Sequence, residues 1–420
     1  MIKINSLINK YKIEFLIVIL YSSLLFSFYL GENSTGGAIL DYQNQSMVIN
    51  QFLTNFTNAL INYDNLEFTT RHSPVLIIIL SFLVKINLSD DFIRLIYLHV
   101  NLILPIFFYK CLTLKFKTVD KTFLILLSGL IILSPSFRSL SIWPDSRILG
   151  LTIFSISIYY FLLFFENKKY KYAIFNIIYY AIASYISPNF LVFSLFFFYF
   201  YLKQFNLFSK ELILIILINI FLSIPAFFYV FYMEVQFIFA KATVQLSGED
   251  KLFLNFFNQI LIIPTIIFFY LFPFIYKKIF IFNKKDINLF YVILGTLVFS
   301  ISLYFFNYNL EYTGGGLFLH LSQFFFKNNL LFFFISFFSI ILIFVIHQNK
   351  IENLLLIIII FLNNPQTTIY HKYFDPLLLI LFFTLFNYKI FNIDKLKSYY
   401  FIYIYFIIFL LANNFKYLIS

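Results

Sequence analysis

The sequence predicts an all-α, polytopic membrane protein: a transmembrane helical bundle of about thirteen spans, with surface-lying helices in its first outward loop. Three observations lead there. Hydrophobic residues fill 61% of the 420 positions and aromatic residues 23%, more apolar surface than a soluble domain can hide. The apolar residues come in runs approaching the roughly twenty needed to cross hydrocarbon. Charged residues make up only 12% of the chain and fall mostly between those runs.

The runs, in order, are residues 13–30, 92–111, 122–135, 147–165, 172–187, 189–204, 211–230, 259–276, 287–306, 329–346, 351–363, 374–389 and 398–412. Lys3, Lys10 and Lys12 precede the first in the manner of a signal segment. No small-residue cleavage site follows, so this run is read as a retained helix. Segment 75–88 is read as a helix lying at the outer surface. That choice keeps Lys110, Lys115, Lys117 and Lys121 inside, and puts twenty of the thirty Lys and Arg on the cytoplasmic side, as the positive-inside rule requires. The N-terminus is then cytoplasmic and the C-terminus external. The outward loops are 31–91, 136–146, 231–258, 307–328 and 364–373. The whole chain, 1–420, reads as one integral-membrane domain, with 31–91 as its catalytic loop. A multi-pass place in a cell membrane, the bacterial inner membrane in particular, is expected.

Composition narrows the chemistry further. The net charge of +11 is accounted for by topology and calls for no nucleic-acid partner. Phe, Ile, Asn, Lys and Tyr dominate, the residue set of an AT-rich coding sequence, so the aromatic excess carries little functional weight. Cys111 is the single cysteine and cannot form an internal disulfide. The histidines, His72, His99, His320, His347 and His371, show no metal-ligand spacing. Gly314, Gly315 and Gly316 lack the strand and the Lys-Ser/Thr of a phosphate loop.

The polar residues that remain gather on the outward side. Asp41, Arg71 and His72 lie in the first loop, and Arg138, Asp145 and Arg147 in and beside the second. Lys241 follows in the third, and His371 and Lys372 in the last. Carboxylates mixed with Arg, Lys and His suit a phosphate-bearing substrate and a hydroxyl or amine to deprotonate. Each residue also has a plainer role: Asp41 a solvated loop residue, Arg138 and Arg147 headgroup anchors, Asp145 an N-cap for the span that follows.

The order of these pieces resembles the GT-C superfamily of integral-membrane glycosyltransferases, nearest the protein O-mannosyltransferase and lipid A aminoarabinose transferase branch. Asp41 stands where that group carries an acidic residue after its first helix, although here Tyr42 replaces the second acid of the usual pair. His72, Ser73, Pro74 and Val75 look like its His/Lys-Pro-Pro-Leu element with one proline missing. Asp90, Asp91 and Arg94 match a short acidic segment and a helix with an early arginine. Trp143, Pro144 and Asp145 match a second acidic turn, and the stretch from Tyr370 to Pro376 a late basic and aromatic cluster. The resemblance implies inverting transfer of a sugar from a polyprenyl-phosphate donor to a lipid, glycan or protein acceptor among membrane lipids. It implies Asp41 and Asp145 as catalytic carboxylates. From their place on the outward side, Arg71, His72, Arg138, Arg147, Lys241, His371 and Lys372 are read as substrate contacts. A divalent metal ion at the donor phosphate is left open.

Two other classes share this hydropathy. A transporter or lipid flippase would place charges at the bilayer midplane, where this chain has almost none. A polysaccharide polymerase or ligase would concentrate its polar residues in a large late loop; here the longest loop is the first.

Overall fold

The computed structural model describes residues 12–67, 70–237, 256–279, 289–308, 314–346, 350–366, 368–387 and 399–419. Every regular element among them is helical. The chain divides into two compact units, Met1–Val244 with Phe406–Ser420, and Gln245–Tyr405.

The first unit opens with α1 (Lys12–Leu30), then α2 (Ala38–Thr54), α3 (Phe56–Ile61) and α4 (Pro74–Lys85). α5 (Asp90–Asn101) and α6 (Ile103–Lys115) run on almost without a break, and α7 (Lys121–Gly129) leads through a short 3-10 turn into α8 (Pro135–Ile142). α9 (Ser146–Asn167), α10 (Tyr170–Ile186), α11 (Ser194–Gln204) and α12 (Lys210–Phe227) complete it. Local chemistry fixes most of the starts. Ser73, Ser89, Asp120, Ser134, Asp145 and Ser209 each accept a hydrogen bond from a backbone N–H of the first turn they cap, satisfying donors the helix itself leaves open. Pro74 and Pro135 occupy first helical positions, where a missing N–H costs nothing.

α9 and α10 form the heart of this unit, turned back on each other at Lys168, which takes the left-handed conformation at φ 55°. Gly150 lets α9 approach closely: a Cβ there would lie 2.7 Å from Ser187 Cβ and 3.0 Å from the Phe190 ring. Asn176 on α10 donates to Ser157 O (2.9 Å) and Oγ (2.8 Å) on α9, and Tyr201 on α11 donates to Asn176 Oδ1 (2.6 Å). With no water to compete, such interhelical bonds contribute about 0.6 kcal/mol each.

The second unit contains α13 (Phe256–Ile279), α14 (Leu289–Tyr304), α15 (Gly316–Phe326), α16 (Leu330–Ile346), α17 (Ile351–Leu362) and α18 (Leu377–Thr384), with the first turns of α19 (Tyr399–Ile419). α13 supplies its core, burying Leu261, Ile262, Ile266 and Tyr270. Ser336 on α16 donates to Leu261 O at 2.8 Å. All eight residues of α18 are buried.

Among the described residues five helices are long and apolar enough to cross a membrane: Ile13–Leu30, Asp90–Lys115, Ser146–Asn167, Lys210–Tyr232 and Phe256–Tyr276. Lys121–Leu133 with Pro135–Ile142, bent by 60°, makes a sixth if it is one span. Most of the other apolar runs form shorter helices; α4, at twelve residues, reaches ~18 Å and is too short to cross by itself.

One expectation is overturned. Residues 136–146 are not an exposed loop, because α8 occupies most of the stretch and every residue of α8 is buried. Four serines gave it a loop-like composition. Ser134 instead caps α8, while Pro135 O and Ser139 Oγ bond to Ser34 and Thr35 of the first loop.

Candidate active site

The segment after α1 turns sharply. Gly31 and Gly36 adopt φ +65° and +75°, and Asn33 Oδ1 accepts from Ala38 N at 2.9 Å. α2 therefore starts almost at once, and Asp41 lies in its first turn, where the helix dipole favours a negative charge. Its side chain is 31% exposed. The neighbouring Tyr42 is buried and donates to the Asp90 carboxylate. Burial, and then that hydrogen bond, push the Tyr42 phenol well above its ordinary range, so it remains a donor.

The other half of the site is the N-terminus of α9. Asp145, buried at 1% exposure, accepts from the Arg147 backbone N–H at 2.8 Å. The same carboxylate takes both arms of the Arg147 fork, Nε at 2.9 Å and a terminal nitrogen at 2.7 Å. That terminal nitrogen also lies 3.4 Å from Asp41 Oδ2. One guanidinium thus bridges the two carboxylates. Tyr97 holds the Asp145 backbone, donating to its carbonyl and accepting from its N–H at 3.2 Å. Ser146 Oγ lies 3.0 Å from His72 Nδ1, so the histidine of the first loop joins the same end of α9. Arg71, its neighbour, is half-buried.

Arg138 does not join them. It is 4% exposed, and all five of its N–H groups are engaged: Nε to Glu32 (2.8 and 3.2 Å), the terminal nitrogens to Ser23 Oγ and O, Ser27 Oγ and Ile132 O. With each donor satisfied from within, the side chain has nothing left for a phosphate. It ties α8 to the end of α1, and its expected role as a substrate contact is withdrawn.

Lys241 lies outside the described residues. His371 and Lys372 belong to the second unit. His371 Nδ1 lies 3.3 Å from Tyr270 Oη, and burial lowers its pKa to about 4 despite the opposing pull of the Asp375 carboxylate. The imidazole is therefore neutral at physiological pH. Lys372 Nζ lies 5.2 Å from the centre of the Tyr370 ring.

Glu32 escaped the sequence reading, although a buried arginine has to be matched by a carboxylate somewhere. Arg94 stacks at 3.6 Å on Trp143, pairs with Asp91 at 3.1 Å and donates to Ile142 O. It thereby buttresses the turn that presents Asp145. Among the described residues no group of three or more His, Cys, Asp or Glu could hold a metal ion, and both site carboxylates already face Arg147.

Comparison with protein-family models, with curated proteins and with solved structures finds no match. The functional reading therefore rests on this geometry and on the motif order.

Proposed function

We propose that the chain is an inverting membrane glycosyltransferase that takes a sugar from a polyprenyl-phosphate donor at the outer face of a cell membrane. The observation that supports it best is the meeting of Asp41, His72, Asp145 and Arg147, drawn from three separate stretches of chain. Asp41, the more exposed carboxylate, acts as general base: it accepts the proton of an acceptor hydroxyl as the oxygen attacks the anomeric carbon. The bond from that carbon to the phosphate oxygen breaks, and polyprenyl phosphate leaves. Arg147 and Arg71 stabilise the departing phosphate, helped by the N-terminus of α9. Asp145 is a positioning residue that caps α9 and holds the Arg147 fork in place.

The same reading keeps thirteen crossings, a cytoplasmic N-terminus and an outward-facing site. The test is release of polyprenyl phosphate by the purified chain, supplied with polyprenyl-phosphate hexoses and a hydroxyl-bearing acceptor. Asp41→Asn keeps the shape and removes the base, so turnover should fall by ~10² or more. Near-normal turnover by correctly folded Asp41→Asn protein would remove Asp41 from the mechanism.

A further inference from the structure

Two pairs of neighbouring amides lie within the second unit, and Gln259 of one pair bonds to the backbone of Asn364 in the other. Asn258 and Gln259 sit in the first turn of α13; Asn363 and Asn364 follow the last turn of α17. All are at least nine-tenths buried, at 0%, 1%, 3% and 5% exposure. Gln259 Nε2 donates to two backbone carbonyls, Asn364 O at 3.3 Å and Gln366 O at 3.2 Å. That pair of acceptors fixes which end of the amide is nitrogen, and turns Oε1 the other way. Asn258 is spoken for: it donates to Asn307 Oδ1 at 3.0 Å and accepts from Asn307 N at 3.1 Å. Gln366 Oε1 accepts from Tyr373 Oη at 2.7 Å.

Around this framework four buried polar atoms have no protein partner among the described residues: Gln259 Oε1, Asn363 Oδ1, and both Oδ1 and Nδ2 of Asn364. A native fold rarely leaves such groups unmatched, and a cluster of them marks a place where something else completes the bonding. Their chemistry says what. Three are acceptors and one is a donor, and none carries formal charge. A bare cation would suit the oxygens and be repelled by the Asn364 amide hydrogens. An anion would face three sets of lone pairs. Exchanging O and N of Asn364 leaves one donor and one acceptor in the same two places, so the mixture does not depend on how that amide is assigned. A hydroxyl group, which both donates and accepts, matches it.

We propose that this amide corner is a binding site for a neutral, hydroxyl-rich group, a sugar ring in particular. The inference stands on the buried amides and not on the catalytic reading of the first unit. Its test is therefore binding without turnover. The full chain, purified in a detergent that contains no sugar, would be titrated with glucose, mannose and N-acetylglucosamine, with contact read by saturation-transfer NMR. Saturable binding of at least one of the three is expected. Gln259→Leu and Asn364→Leu should each weaken it tenfold or more. Asn363→Ala removes one of the four open atoms together with the rest of its amide, and serves where a leucine variant does not fold; it should weaken binding severalfold at an unchanged thermal midpoint. No saturable binding by any of the three sugars, or equal binding by the wild-type chain and every folded variant, would overturn the proposal and leave ordered water as the partner of these atoms.

Discussion

Arg138 and Arg147 carry the same side chain in opposite circumstances. Arg138 is sealed against Glu32 with every donor used, and a guanidinium in that state contributes to the fold alone. Removing one partner of a buried pair strands the other charge, at a cost of ~3–5 kcal/mol. Arg138→Ala and Glu32→Ala should therefore both lower the unfolding midpoint sharply, and whatever protein folds should keep its turnover per molecule. Arg147 stands between a sealed carboxylate and a partly exposed one. Arg147→Lys keeps the charge but loses the fork that spans both. It should reduce turnover by ten- to a hundredfold on the scale of other lost charge-assisted contacts, with a small change in stability. If the two arginines exchanged these phenotypes, the assignment of the site to α9 would fail.

At the scale of elements, α12 shows how the chain manages a proline inside an apolar helix. Pro225 removes an N–H and crowds the preceding turn, the usual origin of a kink. The Tyr185 hydroxyl enters the opened ladder, accepting from Ala226 N at 3.2 Å and donating to Leu222 O at 2.6 Å. Tyr185 also offers its own carbonyl to Ser73 Oγ at 2.5 Å, one residue from His72. The proline turn of α12, the end of α10 and the start of α4 are thus joined through one residue. The tighter constraint lies at Gly150, where a methyl group would meet Ser187 Cβ at 2.7 Å. Overpacking of this kind costs ~1–3 kcal/mol. Gly150→Ala should lower the thermal midpoint in detergent, and the companion change Ser187→Gly should recover part of the loss. A Gly150→Ala chain as stable as wild type would mean that α9 and α10 can separate without penalty.

Within each unit, several hydrogen bonds among the described residues join segment ends that the thirteen-span reading places on one side. In the first unit, ends assigned outside bond to one another: Trp143 to Glu32, Arg147 to Asp41, Ser146 to His72. Lys117 and Glu166, both assigned inside, pair at 2.5 Å. In the second unit the same holds for Asn258 with Asn307, and for Gln259 with Asn364. Lys115, Lys117 and Lys121 should accordingly resist an impermeant amine reagent in intact cells and react once the membrane is opened. Labelling of these three from outside would reverse the orientation and divide the proposed site between two compartments.

What the sequence determined by itself follows from one-dimensional physics. Runs of apolar residues force a helical membrane protein, because lipid offers the backbone no partners. Caps such as Ser73-Pro74, Ser134-Pro135 and Asp145 set helix starts through contacts two or three residues away. Asp41, His72, Asp145 and Arg147 were all among the candidates read on the outward side, but nothing in the sequence separated them from Arg138, Lys241, His371 and Lys372. What each one does was not readable. Whether Asp145 is a catalytic carboxylate or a cap, and whether an arginine faces substrate or a buried glutamate, depends on which distant atoms fill its donors and acceptors. The Arg138–Glu32 pair spans 106 positions and the Gln259–Asn364 contact 105. Only the packing of helices against each other decided those partners, since burial makes each polar atom find a match or remain open for a ligand.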